Sequence, residues 1–401
     1  MADPSDLLVR RAHRVFGAGT FEAEADDPVC IVVRRGRVER LVAESQLGSV
    51  VSEVFGAAYA SGDLPELDAA GRAVIPGFVD AHTHLVFAGD RSEEFGARLA
   101  GVKYEAGGIM TSVDATRAAS VEELTAGVVE RAGQCLRSGT TTVEVKSGYG
   151  LETDAEVRSL QAVAAANDST PTELVPTFLG AHLDLGGDYI DTVINEMLPA
   201  CAPLAVSCDA FCDIGALNVE SSRLVLEAGV RHGLVPRIHA EELAHTGAAE
   251  LAAELSCASA DHLVYASESD CKALASAGVV GVLLPATSFC LRSSYAPARM
   301  LIESGVTVAL ASDCNPGTSY TSSMPFVIAV ACSEYGMSAD EAVAAATSGG
   351  AAALRRSDIG HLNPGARADM IVMDAEHWVD FAYRPGMDVI AYVVKDGVVV
   401  R

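Results

Sequence analysis

Eight short apolar runs, nearly all stopping at a His, Asp, Glu or Lys, leave this sequence few folds to choose from. They are Val74–His84, Thr140–Lys146, Glu173–His182, Ala205–Asp213, Val235–Glu242, Ala258–Leu263, Val279–Leu284 and Val306–Asp313. Between them lie Ala-rich segments punctuated by Glu with helical periodicity, so strand and helix alternate over most of the chain. Eight such units predict an α/β chain folded as a (β/α)8 TIM-like barrel. The span from His82 to Asp313 suits the ~250 residues of that fold, in which the C-terminal ends of the strands carry the functional groups. Polar residues that end the apolar runs are therefore expected to share one mouth.

The two ends of the chain read differently. Asp6–Val15, Val29–Val42, Ala368–Asp374 and Val389–Val400 are Val-rich, with turn signals such as Lys395-Asp396-Gly397. They predict a composite β-sandwich domain from residues 1–73 plus 365–401, its N- and C-terminal strands meeting in one sheet layer that closes over the ends of a barrel spanning 74–364. Ala339–Leu354 is expected to be a helix, opened by Ser338 as N-cap with Glu341 three residues on.

Charge narrows the partners. With 54 Asp and Glu against 28 Lys and Arg the net charge is −26, and such a surface repels phosphate backbones and anionic membranes. No nucleic acid and no membrane are expected. Met1–Asp6 has neither the basic start nor the apolar core of a signal peptide, and no run reaches the ~18 apolar residues of a membrane span, which predicts a cytoplasmic protein. Ten cysteines without a Cys-x-x-Cys pair are expected to be reduced core residues, with neither a disulfide framework nor a thiolate zinc site.

The chemistry starts at His82-Thr83-His84, which closes the first run. Strand alternation puts both rings on one face, about 7 Å apart along the chain and within reach of one ion. His239 ends the fifth run and Asp313 the eighth. Two His from one strand, a His from another and an Asp from a third would converge on the same mouth. They form a nitrogen and carboxylate set suited to one divalent metal ion, zinc or iron.

Longer blocks surround these residues. Pro76-Gly77-Phe78-Val79-Asp80-Ala81-His82-Thr83-His84 resembles the opening metal motif of the amidohydrolase superfamily. Leu85–Arg91, Val145-Lys146-Ser147-Gly148-Tyr149-Gly150-Leu151, Phe178–His182, His239-Ala240-Glu241-Glu242, Ala260-Asp261-His262-Leu263 and Asp313-Cys314-Asn315-Pro316-Gly317 are similar to the blocks of the imidazolonepropionase family within it. The resemblance implies a small β domain built from both termini and a homodimer. It also implies metal-dependent hydrolysis of the cyclic amide of the small anion 4-imidazolone-5-propanoate to N-formimidoyl-L-glutamate, a step of histidine degradation. The chain departs from the family pattern at Cys314, where an aromatic residue is usual, at Glu241, where Asp is usual, and over Leu183–Gly187.

On that reading a metal-bound hydroxide attacks the ring carbonyl and Asp313 relays a proton. Glu242 activates water or binds the ring nitrogens, and His262 orients or polarises the reacting groups. Arg91, seven residues after His84, would hold the propionate by a bidentate fork. The resemblance places Tyr149 and His182 beside the ligand, while Asn315, Gly317 and Thr318 would line the far side. Lys146 ends the second run rather than the fourth, so it is read as a structural or electrostatic neighbour of a mononuclear site and not as a metal-bridging carboxylated lysine. Two alternatives remain open: a deaminase of the same superfamily, which would release ammonia, and a noncatalytic ligand-binding barrel.

Overall fold

A strand that is wetted on neither side must find a partner for any charge it carries, and Thr140–Lys146 is buried at all seven of its positions although it includes Glu144 and Lys146. The computed structural model describes residues 3–17, 27–56, 64–101 and 108–401. Six strands come first: β1 Leu7–Ala12, β2 Arg14–Val15, β3 Val29–Arg34, β4 Arg37–Ala43, β5 Glu66–Asp68 and β6 Ala73–Pro76. The barrel follows, with β7 Phe78–Asp80, β8 Thr140–Lys146, β9 Glu173–Ala181, β10 Ser207–Cys212, β11 Val235–Ala240, β12 Ser259–His262, β13 Val280–Leu283 and β14 Val308–Leu310. These eight are parallel and paired in chain order, so the fold is a TIM-like barrel.

Beyond β7 and β14 the ring closes through backbone bonds. Asp313 N–H donates to the His82 carbonyl at 3.0 Å and His84 N–H to the Cys314 carbonyl at 2.9 Å. The seam is thus made by the same residues that carry candidate ligands. Gly349 and Gly350 pack on it from outside, where a Cβ would collide with the Val308 and Val79 carbonyls. The expected helix over Ala339–Leu354 bears this pair: it opens on the Ser338–Glu341 capping box and runs to Ala353, with a π turn over Ala345–Gly349. Ser120 with Glu123 and Ser267 with Asp270 open two further helices in the same way.

The first apolar run is divided rather than continuous. Ala73–Pro76 pairs with a C-terminal strand outside the barrel, and the barrel strand begins at Phe78. Gly77 makes the change of sheet in one residue, with no room for a side chain against Thr141.

The terminal strands form two sheets, the two layers of the expected β-sandwich. One sheet has the order β4-β3-β1-β5; the other is β17-β16-β15-β6-β2, completed by β15 Met370–Met373, β16 Ile390–Lys395 and β17 Val398–Val399. Only the second mixes both ends of the chain. The reason lies at Arg11, which has φ +56° beside a break in register between Val9 and Ala12, so the run Asp6–Val15 serves one sheet as β1 and the other as β2. Leu7, Val9, Ile31, Met370, Val372 and Val394 fill the space between the layers. On its other face Ile371, Ile390 and Val393 join the barrel core, and Ile371 lies where a Cβ on Gly139 would meet it at 2.6 Å. The sandwich therefore meets the barrel at the N-terminal ends of β7 and β8, away from His82 and His84.

All ten cysteines are free, eight of them buried. Among the described residues no helix is long and apolar enough to cross a membrane. Gly350→Ala should destabilise the protein by about 1–3 kcal/mol, the usual cost of overpacking. Gly48→Ala, on an exposed helix position with nothing within 4 Å of the added carbon, should stabilise it by about 0.5–1 kcal/mol. Urea unfolding of the two variants checks this; equal effects would contradict the close packing at the seam.

Candidate functional site

His82 and His84 follow β7 and His239 lies on β11, and one ring nitrogen from each lies within 4.8 Å of the others. Their orientation is set from behind. His82 Nδ1 is 2.6 Å from Asp261 Oδ2 and His239 Nδ1 is 3.1 Å from Asp209 Oδ1. A carboxylate at Nδ1 accepts a hydrogen bond from the Nδ1–H, which keeps the proton on that nitrogen and leaves the Nε2 lone pair for something else. Nε2 of His82 and of His239 are both buried and find no hydrogen-bond partner among the described residues. Asp313 Oδ1 lies 3.6 Å from His82 Nε2 and 3.5 Å from His84 Nε2. Two orphaned imidazole nitrogens, a third ring and a carboxylate fit a divalent metal ion, and these four residues could hold one. Burial keeps His82 and His84 far below the usual histidine range, and burial also raises Asp313 to about 6. Asp313 sits at φ +50° and accepts the Thr287 hydroxyl at Oδ2, 2.6 Å away.

Beneath the histidines lies a layer of charge with no exposure. Lys146 Nζ donates to Asp209 Oδ2 at 2.6 Å and to Glu144 Oε1 at 2.9 Å, and lies 3.8 Å from Asp261 Oδ2. Arg237 bonds the Ala81 and Ala353 carbonyls and approaches the same Asp261 oxygen at 3.5 Å. Burial works against ionising Asp209, yet Lys146 and His239 hold it well below the usual carboxylate range. Asp209 and Asp261 were not singled out from the sequence as partners of the histidines. Their signal was present, since each is an acid inside an apolar strand run.

Glu242 and His262 complete the far side, with Glu242 Oε2 3.7 Å from His262 Nε2. Burial, reinforced by Asp313 and Asp213, holds the Glu242 carboxyl well above its usual range. Asp213 accepts the Glu242 and Leu243 N–H groups, both at 2.8 Å, and so fixes the loop that carries Glu242. His262 has φ +76°. Strand alternation would turn it away from its inward-facing neighbour Asp261, and the left-handed backbone returns its ring to within 5.4 Å of His82 and His239.

The cleft walls are also held from behind. Buried Glu156, which was not read from the sequence, accepts N–H bonds from Gly148, Gly150 and Leu151 at 2.7–3.0 Å and so shapes the loop that presents Tyr149. His182 stacks on His84 with centroids 5.3 Å apart, and its Nδ1 meets the Gly148 carbonyl at 2.9 Å. Burial lowers its pKa to about 4, so Nε2 is an acceptor at neutral pH.

Arg91 differs from the expected open fork. Its Nε and Nη2 are bonded to Glu94 at 2.7 and 2.8 Å, and Nη1 abuts Gly317, where any Cβ would collide with it. Asn315 also differs. Its amide bonds the Asp313 carbonyl and the Thr318 hydroxyl through Nδ2, and the Gly317 and Thr318 N–H groups through Oδ1. It builds the turn instead of offering free groups to a ligand, whereas Thr318 keeps its hydroxyl hydrogen.

Of the residues expected at the site, His84, Arg91, Tyr149, His182, His239, Glu242, His262, Asp313, Asn315 and Thr318 line one cleft, His82 lies buried at its floor, and Gly317 backs Arg91. Two departures from the family pattern find places. Glu241 anchors its own loop through the N–H groups of Thr246, Gly247 and Ala249, and Cys314 packs with Leu85, Val86 and Cys135.

Residues 215–400 match the amidohydrolase family. The chain is 52% identical over 340 residues to an imidazolonepropionase of Mycolicibacterium smegmatis, covering 83% of this chain and 84% of that one. It is 50% identical to an imidazolonepropionase of Streptomyces griseus over 82% and 85% of the two chains. The fold is similar to the crystal structure of 5-methylcytosine deaminase from Klebsiella pneumoniae liganded with 5-fluorocytosine, with a TM-score of 0.77 at 17% identity over 98% of this chain and 97% of that one. Matching named relatives at half of all aligned positions over more than four-fifths of its length, the chain belongs to the imidazolonepropionase family of amidohydrolases.

Proposed function

We propose that this chain hydrolyses the ring amide of 4-imidazolone-5-propanoate to N-formimidoyl-L-glutamate, a step of histidine degradation. One observation carries the reading: a buried histidine trio with orphaned nitrogens lies at the floor of one cleft that a Glu242–His262 pair and Arg91 border. The reaction forms a bond from water oxygen to the ring carbonyl carbon, breaks the C–N bond and delivers a proton to the departing nitrogen. His82, His84, His239 and Asp313 would hold a divalent ion, which would supply Lewis acidity and lower the pKa of water to about 7. The donor set supports zinc or iron.

The residues do the rest. Asp313, with one oxygen tied to Thr287 and the other turned to the histidines, takes the proton released by the attacking water. Glu242, held by Asp213 and raised above its usual range, keeps the proton that the departing ring nitrogen receives. His262, next to Glu242, polarises the carbonyl. Arg91 and Thr318 hold the propionate, while Tyr149 and the neutral His182 flank the ring. Local pairing with Arg91 outweighs the screened field of distant acids, so an anion can enter a −26 protein. The reading includes a cytoplasmic homodimer that binds neither nucleic acid nor membrane, supported by the acidic composition and the family resemblance.

Purified protein should speed the loss of ultraviolet absorbance of fresh 4-imidazolone-5-propanoate, and chelation should abolish the acceleration. Ammonia release from a nucleobase in place of ring opening would point to a deaminase, and a metal-loaded sample with no turnover of either to a binding barrel. Arg91→Lys should raise KM about 10- to 100-fold, the worth of a hydrogen bond to a charged group, with kcat little changed; steady-state kinetics with unchanged KM would remove the carboxylate role. Glu242→Gln should cut kcat by about 10²–10⁴ at unaltered metal content. Parallel loss of metal, measured by elemental analysis, would instead make Glu242 a ligand.

A further inference from the structure

Lys146 is buried, does not border the cleft and has no part in the reaction as described. Its ammonium nevertheless touches the partners of two candidate ligands at once. Asp209 Oδ2 receives Lys146 Nζ at 2.6 Å while Asp209 Oδ1 meets His239 Nδ1 at 3.1 Å. Asp261 Oδ2, at 3.8 Å from the same ammonium, meets His82 Nδ1 at 2.6 Å. A third anchor, Glu144 Oε1 at 2.9 Å, fixes the ammonium itself, and Glu144 Oε2 accepts the Thr83 N–H between His82 and His84. One cation thus reaches β8, β10 and β12 across the barrel and, through them, a histidine that follows β7 and one on β11.

We propose that Lys146 is a positioning residue for the metal centre: by clamping one oxygen of Asp209 it aims the other at His239 Nδ1, and so aims His239 Nε2 at the metal, with a weaker parallel action on His82 through Asp261. The proposal rests on the metal-hydrolase reading above and adds to it a residue that touches neither metal nor substrate.

The sign of the effect separates this role from a purely electrostatic one. The layer holds three carboxylates, Glu144, Asp209 and Asp261, against two cations, Lys146 and Arg237. Removing the lysine charge leaves the surroundings of the metal more negative, so a merely electrostatic Lys146 predicts tighter metal binding in its absence. A positioning Lys146 predicts weaker binding, because losing the partners that orient a ligand typically costs about 10–100-fold in metal affinity.

The test is zinc affinity of the full-length chain, measured by competition with a chromogenic chelator, for Lys146→Met, Asp209→Asn and the double variant, with the cobalt(II) visible spectrum as a record of ligand geometry. Each single variant is expected to lose about 10- to 100-fold in affinity with an altered cobalt spectrum, and the double variant to lose no more than the worse single one, because both act on one link. Unchanged or tighter zinc binding by Lys146→Met, or losses that multiply in the double variant, would overturn the proposal. Should Lys146→Met fail to fold, Lys146→Gln, which keeps a donor to Asp209, replaces it; failure of both to fold would assign the lysine to barrel stability and overturn the positioning role. A parent chain that binds no zinc would overturn the metal reading itself, whereas a parent that binds and a variant that binds equally well removes only Lys146.

Discussion

Charge buried without water has to be paired, and that requirement organises the interior of this barrel. Such interiors are ordinarily filled by layers of branched aliphatic side chains. Here Glu144, Lys146, Asp209, Arg237 and Asp261 occupy the layer under the histidines, all essentially inaccessible. An ion pair of this kind yields little net stability against an apolar layer of equal volume, but breaking it is expensive. Its value is in geometry. All of these pairs but Lys146–Glu144, which lies within β8, join two strands, so a slip of one residue between them would strand a charge in the dry interior, and the register that aims the histidines is the register that satisfies the ions.

The same use of acids as internal fasteners recurs in the loops above. Glu156, Asp213 and Glu241 are buried, and each accepts backbone N–H groups from the loop that it shapes; Asn315 does likewise with its amide. A carboxylate accepting two or three N–H groups fixes a loop more firmly than apolar contacts could, because those donors have no other partner once water is excluded. Part of the acidic excess in the composition is therefore structural. It fixes the loops that carry Tyr149 and Glu242.

The barrel could be read from the sequence because strands buried on both faces appear as unbroken apolar runs whose ends are abruptly polar. The boundaries that failed did so where apolarity does not say which sheet receives a strand. Val74–His84 looks continuous, yet Gly77 hands it from one sheet to another, and Asp6–Val15 divides at Arg11 for a backbone reason that side-chain pattern does not reveal. His82, His84 and His239 were readable from position alone. Asp209 and Asp261 needed the further inference that an acid inside an apolar run must have a buried partner, and the double inward turn at Asp261-His262 breaks the alternation that such an inference would use. Nor could spacing show that Asn315 spends its amide within its own turn, or that Glu94 occupies most of the Arg91 fork.

Closure of the barrel by Asp313 on His82 and by His84 on Cys314 has a temporal meaning. The two sides of that junction are the first and last strands of the barrel to be synthesised, so the chemistry cannot assemble on a growing chain until nearly the whole barrel has emerged. Contacts so distant along the chain are slow to form. A partly made or partly unfolded protein is then inert rather than wrongly active, since opening the junction separates Asp313 from the histidines in a single event.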